Sequence, residues 1–194
     1  RYFEKICKNV SDRSAQLEKL IQYTRKEYFR FSEEYQRTFQ NQVVNNELIS
    51  VKHLRNIDIF DQKVDPLMQS GKKVAYLMVD ALRFELGVEL SEKLQENFQI
   101  DISPSIAFSP TTTSFGMAAL LPESNSKISL RVKDGKLEPF LNGDLIKGPK
   151  GRFKYLQKIY GDRVNWMQLD DFMREKESKV NDLLVIGTTE IDIA

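Results

Sequence analysis

The feature that most constrains this chain is an apolar run, Val74-Ala75-Tyr76-Leu77-Met78-Val79, that stops abruptly on a carboxylate, Asp80. A continuous apolar run of this length is the pattern of a strand buried on both faces, the kind found in parallel sheets. Open α/β sheets place their ligands at the carboxyl ends of such strands, which makes Asp80 a candidate site residue. Further on, Pro110-Thr111-Thr112-Thr113-Ser114 opens an apolar segment, Phe115 to Leu121, that Pro122 closes. The threonines then stand at a helix N-terminus, where unpaired backbone N–H groups favour an anion. A carboxylate and a hydroxyl nucleophile meeting over a phosphate is the chemistry this pairing suggests.

The flanking pattern predicts an α/β fold. Leu86, Leu90 and Leu94 recur every fourth residue between Arg83 and Asn97, which is helical spacing. Phe98 to Phe108 alternates in part and predicts a second strand, interrupted by Pro104, before a helix over Thr112–Leu121. Strand, helix, strand, helix in this order implies a right-handed parallel crossover. Ile128, Leu130 and Val132 then alternate with polar residues, and Asp134-Gly135 turns the chain into Lys136, Leu137 and Phe140, a β-hairpin. Gly148-Pro149-Lys150-Gly151 leads into a helix at about 152–160; it lacks the Gly-Lys-Ser/Thr ending of a phosphate-binding P-loop. A short strand at Val164–Met167, a polar helix over 170–178 and a third buried strand at Leu183–Ile186 complete the pattern.

Residues 1–48 read as a helical segment, with neither proline nor glycine before Pro66. Leu17, Ile21, Tyr28, Phe31, Tyr35 and Phe39 recur mostly at three-, four- and seven-residue steps. The aromatic and basic mixture from Tyr23 to Arg37 admits a nucleic-acid face. Interleaved acidic residues favour an amphipathic helix packed on a neighbour. Residues 49–72 read as a connector, broken by Asp65-Pro66 and Ser70-Gly71, and the single histidine, His53, is expected to face solvent or make a local hydrogen bond there. Lys and Arg number 29 against 28 Asp and Glu, so no global field argues for nucleic acid. The lone Cys7 excludes an internal disulfide and suits a reducing cytoplasm. No apolar run reaches the roughly 18 residues of a membrane span. The opening on Arg1 and the end at Ala194 just after an apolar strand suggest a fragment.

A threonine hydroxyl is a weak nucleophile and needs a base or a metal to activate it. With His53 alone no Ser-His-Asp set can be assembled, so a divalent cation held by carboxylates is the remaining route. The plainer reading has Thr111–Thr113 capping one helix and Asp80 the other.

The run Lys73-Val74-Ala75-Tyr76-Leu77-Met78-Val79-Asp80-Ala81-Leu82-Arg83-Phe84-Glu85 resembles the signature of the PglZ family. So does Pro110-Thr111-Thr112-Thr113-Ser114 followed by Met117-Ala118-Ala119-Leu120-Leu121-Pro122. That family belongs to the alkaline phosphatase superfamily and is a component of bacterial BREX phage-defence systems. The resemblance implies a three-layer α/β/α core with two divalent metal ions, usually zinc, and makes 73–194 the N-terminal part of such a domain. It implies Asp80 as a metal ligand and Thr113 as the nucleophile and a metal ligand, with Thr111 the alternative. Arg83 would face phosphate or a structural carboxylate, and Asp192, or Glu190, would be a further acidic ligand. The implied activity is a phosphatase or phosphodiesterase, acting on nucleotides or nucleic acid among phosphate esters, in the cytoplasm with other components of the defence complex. A non-catalytic scaffold on the same fold is the alternative. Superfamily sites also use several histidines, so the remaining ligands are expected in further sequence, with these 194 residues inactive alone and their metal site empty or weak.

Overall fold

The computed structural model describes residues 15–45, 53–174, 181–189 and 191. The chain divides into two compact units, residues 1–52 and 53–194.

The first unit holds one long helix, α1, Ala15–Val44. The absence of glycine and proline allows this length. Local bonds reinforce it: Arg30 pairs with Glu27 at 2.8 Å, and the Thr24 and Thr38 hydroxyls donate to carbonyls one turn back. Ile21 is buried, whereas Tyr23, Tyr28, Phe29, Phe31, Tyr35 and Phe39 are all more than half exposed. Cys7 lies outside the described residues, as does the rest of the predicted segment before Ala15.

In the second unit the elements run β1 (Leu54–Arg55), α2 (Asn56–Ile59), a π-helical turn (Phe60–Val64), α3 (Asp65–Gln69), β2 (Val74–Val79) and α4 (Phe84–Leu94). They continue with β3 (Ser105–Ile106), α5 (Thr113–Ala119), α6 (Ser124–Lys127), β4 (Ile128–Lys133), β5 (Lys136–Leu141) and β6 (Asp144–Leu145). Then come α7 (Gly148–Tyr160), a 3-10 turn, β7 (Val164–Gln168), α8 (Leu169–Arg174) and β8 (Leu183–Thr188). This is the mixed helix-and-sheet architecture expected, and its principal sheet is parallel, in the order β2-β8-β7.

Three details differ from the reading of the sequence. First, β2 is not the strand buried on both faces that its apolar run predicts: it is an edge of the three described strands, and Leu77 is 52% exposed. The strand buried at all six positions is β8, which has a partner on either side. Second, the strand expected over Phe98–Phe108 shrinks to Ser105–Ile106, which pairs with Leu54–Arg55 instead of β2. Phe98, Ile100 and Ile102 are exposed, and Pro104 has no N–H to give a ladder. Third, residues 53–72 are folded, and Phe60, Val64 and Met68, four residues apart, are buried in the core. Pro66 does not break the helix because it stands at the start of α3, where its missing N–H costs nothing. His53 is exposed, as expected.

The hairpin forms as predicted, β4 antiparallel to β5, with Asp134 and Gly135 both at positive φ (51° and 73°), the signature of a type I′ turn. Phe115, Met117, Ala118 and Ala119 bury one side of α5. The fully buried Ser124 hydroxyl donates to the carbonyls of Ala118 and Leu121, closing the end of that helix.

Candidate active site at Asp80 and Thr113

The parallel ladder carries the chain to Asp80, whose N–H donates to the Thr188 carbonyl at 3.1 Å. Ala81 follows in the left-handed region (φ 56°), and its N–H donates back to Asp80 Oδ1 at 2.9 Å. This sharp turn holds the carboxylate at the strand end, where it is 8% exposed. Thr113 is the first residue of α5. Its hydroxyl donates to Asp80 Oδ1 at 3.4 Å.

The capping alternative holds in position for one threonine and fails for Asp80. Thr112 is the N-cap of α5 and makes no side-chain cap bond; the N-cap of α4 is Arg83, not Asp80, and it makes none either. A separation of 3.4 Å is long for a hydrogen bond, but it suits two oxygens sharing one cation through bonds of about 2.0–2.2 Å.

Two hollows meet at this pair. One of about 370 Å³ lies on the side of Asn56, Arg83 and Thr111. The other, about 470 Å³, lies on the side of Gly148, Arg152 and Gln168. Asp80, Thr112 and Thr113 line both, whereas Thr111 lines only the first. Arg83 is well exposed and pairs with Glu85 at 3.2 Å.

Arg152 was not singled out by the sequence. It lies in the loop-to-helix stretch set aside for lacking a P-loop ending, and no spacing marks it. Its guanidinium carbon sits 5.6 Å from the centre of the Trp166 ring. Burial pulls its pKa below the usual arginine value, and the negative charge of Asp80 acts against that shift.

As a metal centre the donor set is partial. Asp80 and Thr113 are two hard oxygen donors of the kind that could hold a divalent cation. Among the described residues no three His, Cys, Asp or Glu side chains gather around an ion. Asp192 and Glu190, the expected further ligands, lie outside the described residues.

A family model described as the BREX system PglZ alkaline phosphatase-like domain matches residues 59–193, more than two thirds of the chain. No curated protein matches it.

Proposed function

This chain belongs to the PglZ family, the alkaline phosphatase-like domain of BREX phage-defence systems, and on that premise we propose a metal-dependent phosphohydrolase whose nucleophile is Thr113. The observation that carries the reading is the approach of Thr113 Oγ1 to Asp80 Oδ1, 3.4 Å, where two hollows meet.

By accepting the hydroxyl hydrogen, Asp80 turns the oxygen lone pairs of Thr113 away from itself and toward the hollows. The Thr113 oxygen forms a bond to phosphorus while the bond from phosphorus to the leaving oxygen breaks. The hydroxyl proton is lost to solvent, and the leaving alkoxide takes one from water. A second water then attacks phosphorus, the bond to Thr113 breaks, and the threonine recovers its proton. Asp80 and Thr113 would hold a divalent cation, with Asp192, or Glu190, as a further ligand of a two-zinc site. Such an ion, when bound, polarises a phosphoryl oxygen and lowers the pKa of the hydroxyl.

Substrates in this reading are phosphate esters, with phosphodiesters of nucleotides or nucleic acid as one class, and the partners are other components of the BREX complex. No helix among the described residues is long and apolar enough to cross a membrane. The single Cys7 suits the cytoplasm, where we place the protein.

The test uses the full-length protein and an activated phosphodiester. Thr113→Ala is expected to abolish turnover at a folding cost below about 1 kcal/mol, since no cap bond is lost. Asp80→Ala should lower activity and zinc content together. Thr111→Ala should keep substantial activity. A live Thr113→Ala with a dead Thr111→Ala moves the nucleophile by two residues, and indifference to both hands the site to the scaffold reading.

A further inference from the structure

We propose that Arg152 is the group that grips the phosphoryl oxygens of the substrate, in the hollow between α5 and the first turn of α7. The inference rests on the phosphohydrolase reading and names the residue that recognises the anion there.

Arg152 Nε is the one buried side-chain polar atom among the described residues without a hydrogen-bond partner. A buried donor left unmet is costly, and native structures rarely keep one without a use. Four other arginines among the described residues, Arg30, Arg55, Arg83 and Arg163, each have a carboxylate oxygen within 3.2 Å. Arg152 makes no such pair among the described residues. Asp80 acts on it only through its charge.

The guanidinium is also held in place. It sits over Trp166, and Trp166 is itself backed by β8, where a methyl group added to Gly187 would come within 2.9 Å of the indole. A cation over a wedged aromatic ring is oriented before any ligand arrives. The hollow it lines, about 470 Å³, is shared with Asp80 and Thr113 and with Gly148 and Pro149 at the start of α7. An arginine stays protonated even when partly desolvated, and its planar fork matches two oxygens of a phosphate. The nucleophile and an arginine with no carboxylate partner among the described residues thus line one space. A tetrahedral oxyanion in that hollow would meet the guanidinium charge on one side and the Thr113 hydroxyl on the other.

The experiment is binding of inorganic phosphate to the full-length protein, followed by calorimetry, with no turnover required. Wild type is expected to bind saturably. Arg152→Met, which keeps an apolar chain on Trp166, should weaken phosphate by about tenfold or more, the loss expected of a charge-assisted fork. Lys136→Met, on the hairpin, removes a charge elsewhere and should leave the affinity unchanged. Should the Met variant lose its fold by near-ultraviolet circular dichroism, Arg152→Lys decides: it keeps the charge but not the fork, and is again expected to weaken phosphate about tenfold. Absence of phosphate binding by wild type, or equal binding by the folded Arg152 variants, overturns the proposal. The two readings fail separately. Thr113-dependent hydrolysis with phosphate affinity indifferent to Arg152 removes only this inference, and Arg152-dependent phosphate binding without hydrolysis removes only the enzyme.

Discussion

At the scale of single residues the candidate site depends on a turn that only a small side chain makes without great strain. Ala81 takes φ 56° directly after Asp80, and its N–H returns to the Asp80 carboxylate. The left-handed conformation costs an L-residue roughly 1–2 kcal/mol, and more for a β-branched one. Ala81→Gly should therefore leave the denaturation midpoint within about 0.5 kcal/mol of wild type, relief of strain offsetting the extra freedom of the unfolded chain. Ala81→Val should lose about 2 kcal/mol. Equal stability of the two variants would show that the turn does not constrain the carboxylate. The meeting of Asp80 with the threonine cluster was legible in the sequence because a strand end and a helix start each carry a local signature; the choice of Thr113 within the cluster came from the family resemblance. Arg152 was not, because what distinguishes it is an absent partner and a ring from another strand beneath it, and neither has a sequence spacing.

At the scale of elements, two contacts between segments have consequences that can be measured. Asp58, buried on α2, takes a fork from Arg55 on β1 (2.6 and 3.0 Å). The Arg55 hydrogen bond, more than the opposing burial, holds the Asp58 carboxyl below its ordinary value. A carboxyl lowered on folding contributes stability above its unfolded pKa, near 3.8, and that contribution is lost as pH falls through the lower folded value. Asp58→Asn should cost about 1–2 kcal/mol at neutral pH and progressively less below about pH 4. Urea titrations at several pH values would reveal it, and a pH-independent difference would contradict it. On the sheet, Gly187→Ala places a methyl group 2.9 Å from the Trp166 indole. Overpacking of this kind costs about 1–3 kcal/mol. It should also shift the emission of Trp166, the single tryptophan of the chain; an unchanged spectrum and midpoint would mean that the ring has room to move. The elements most legible in advance were those with local chemistry, the Asp134-Gly135 hairpin above all. Strand neighbours were less so. The continuous apolar run of β2 promised a central place, but sheet order depends on pairing with β8, more than a hundred residues away along the chain. The partial alternation over Phe98–Phe108 could not show that those residues would stay out of the sheet.

At the scale of the whole molecule, the question is where an independently folding body begins. The apolar run suggested a boundary at Lys73, with a connector before it. The structure instead puts Phe60, Val64 and Met68 in one cluster with Met78, Leu121, Leu141, Leu156 and Val185, each of them buried. Tyr160 reaches the same segment, its hydroxyl donating to Asp65 at 3.1 Å while its ring lies 5.9 Å from that of Phe60. Polar neighbours such as Asp61, Gln62 and Lys63 mask this stripe, and its spacing of four runs through a π turn and a proline, which together read as a loop. The energetic consequence is large. Losing a single buried side chain of this size costs about 2–5 kcal/mol, and a domain is stable by only about 5–15 kcal/mol in total. A chain starting at Lys73 loses three such side chains at once and exposes the faces of Met78 and Leu121 that they cover, so it should not fold. A chain starting at His53 keeps the whole cluster and should unfold in one cooperative transition. Thermal denaturation of the two truncations, matched in their C-terminal end, separates the possibilities. A cooperative transition in the Lys73 chain would mean that the helical stretch is an appendage after all, and its absence in the His53 chain would mean that residues 1–52 are needed to hold the core.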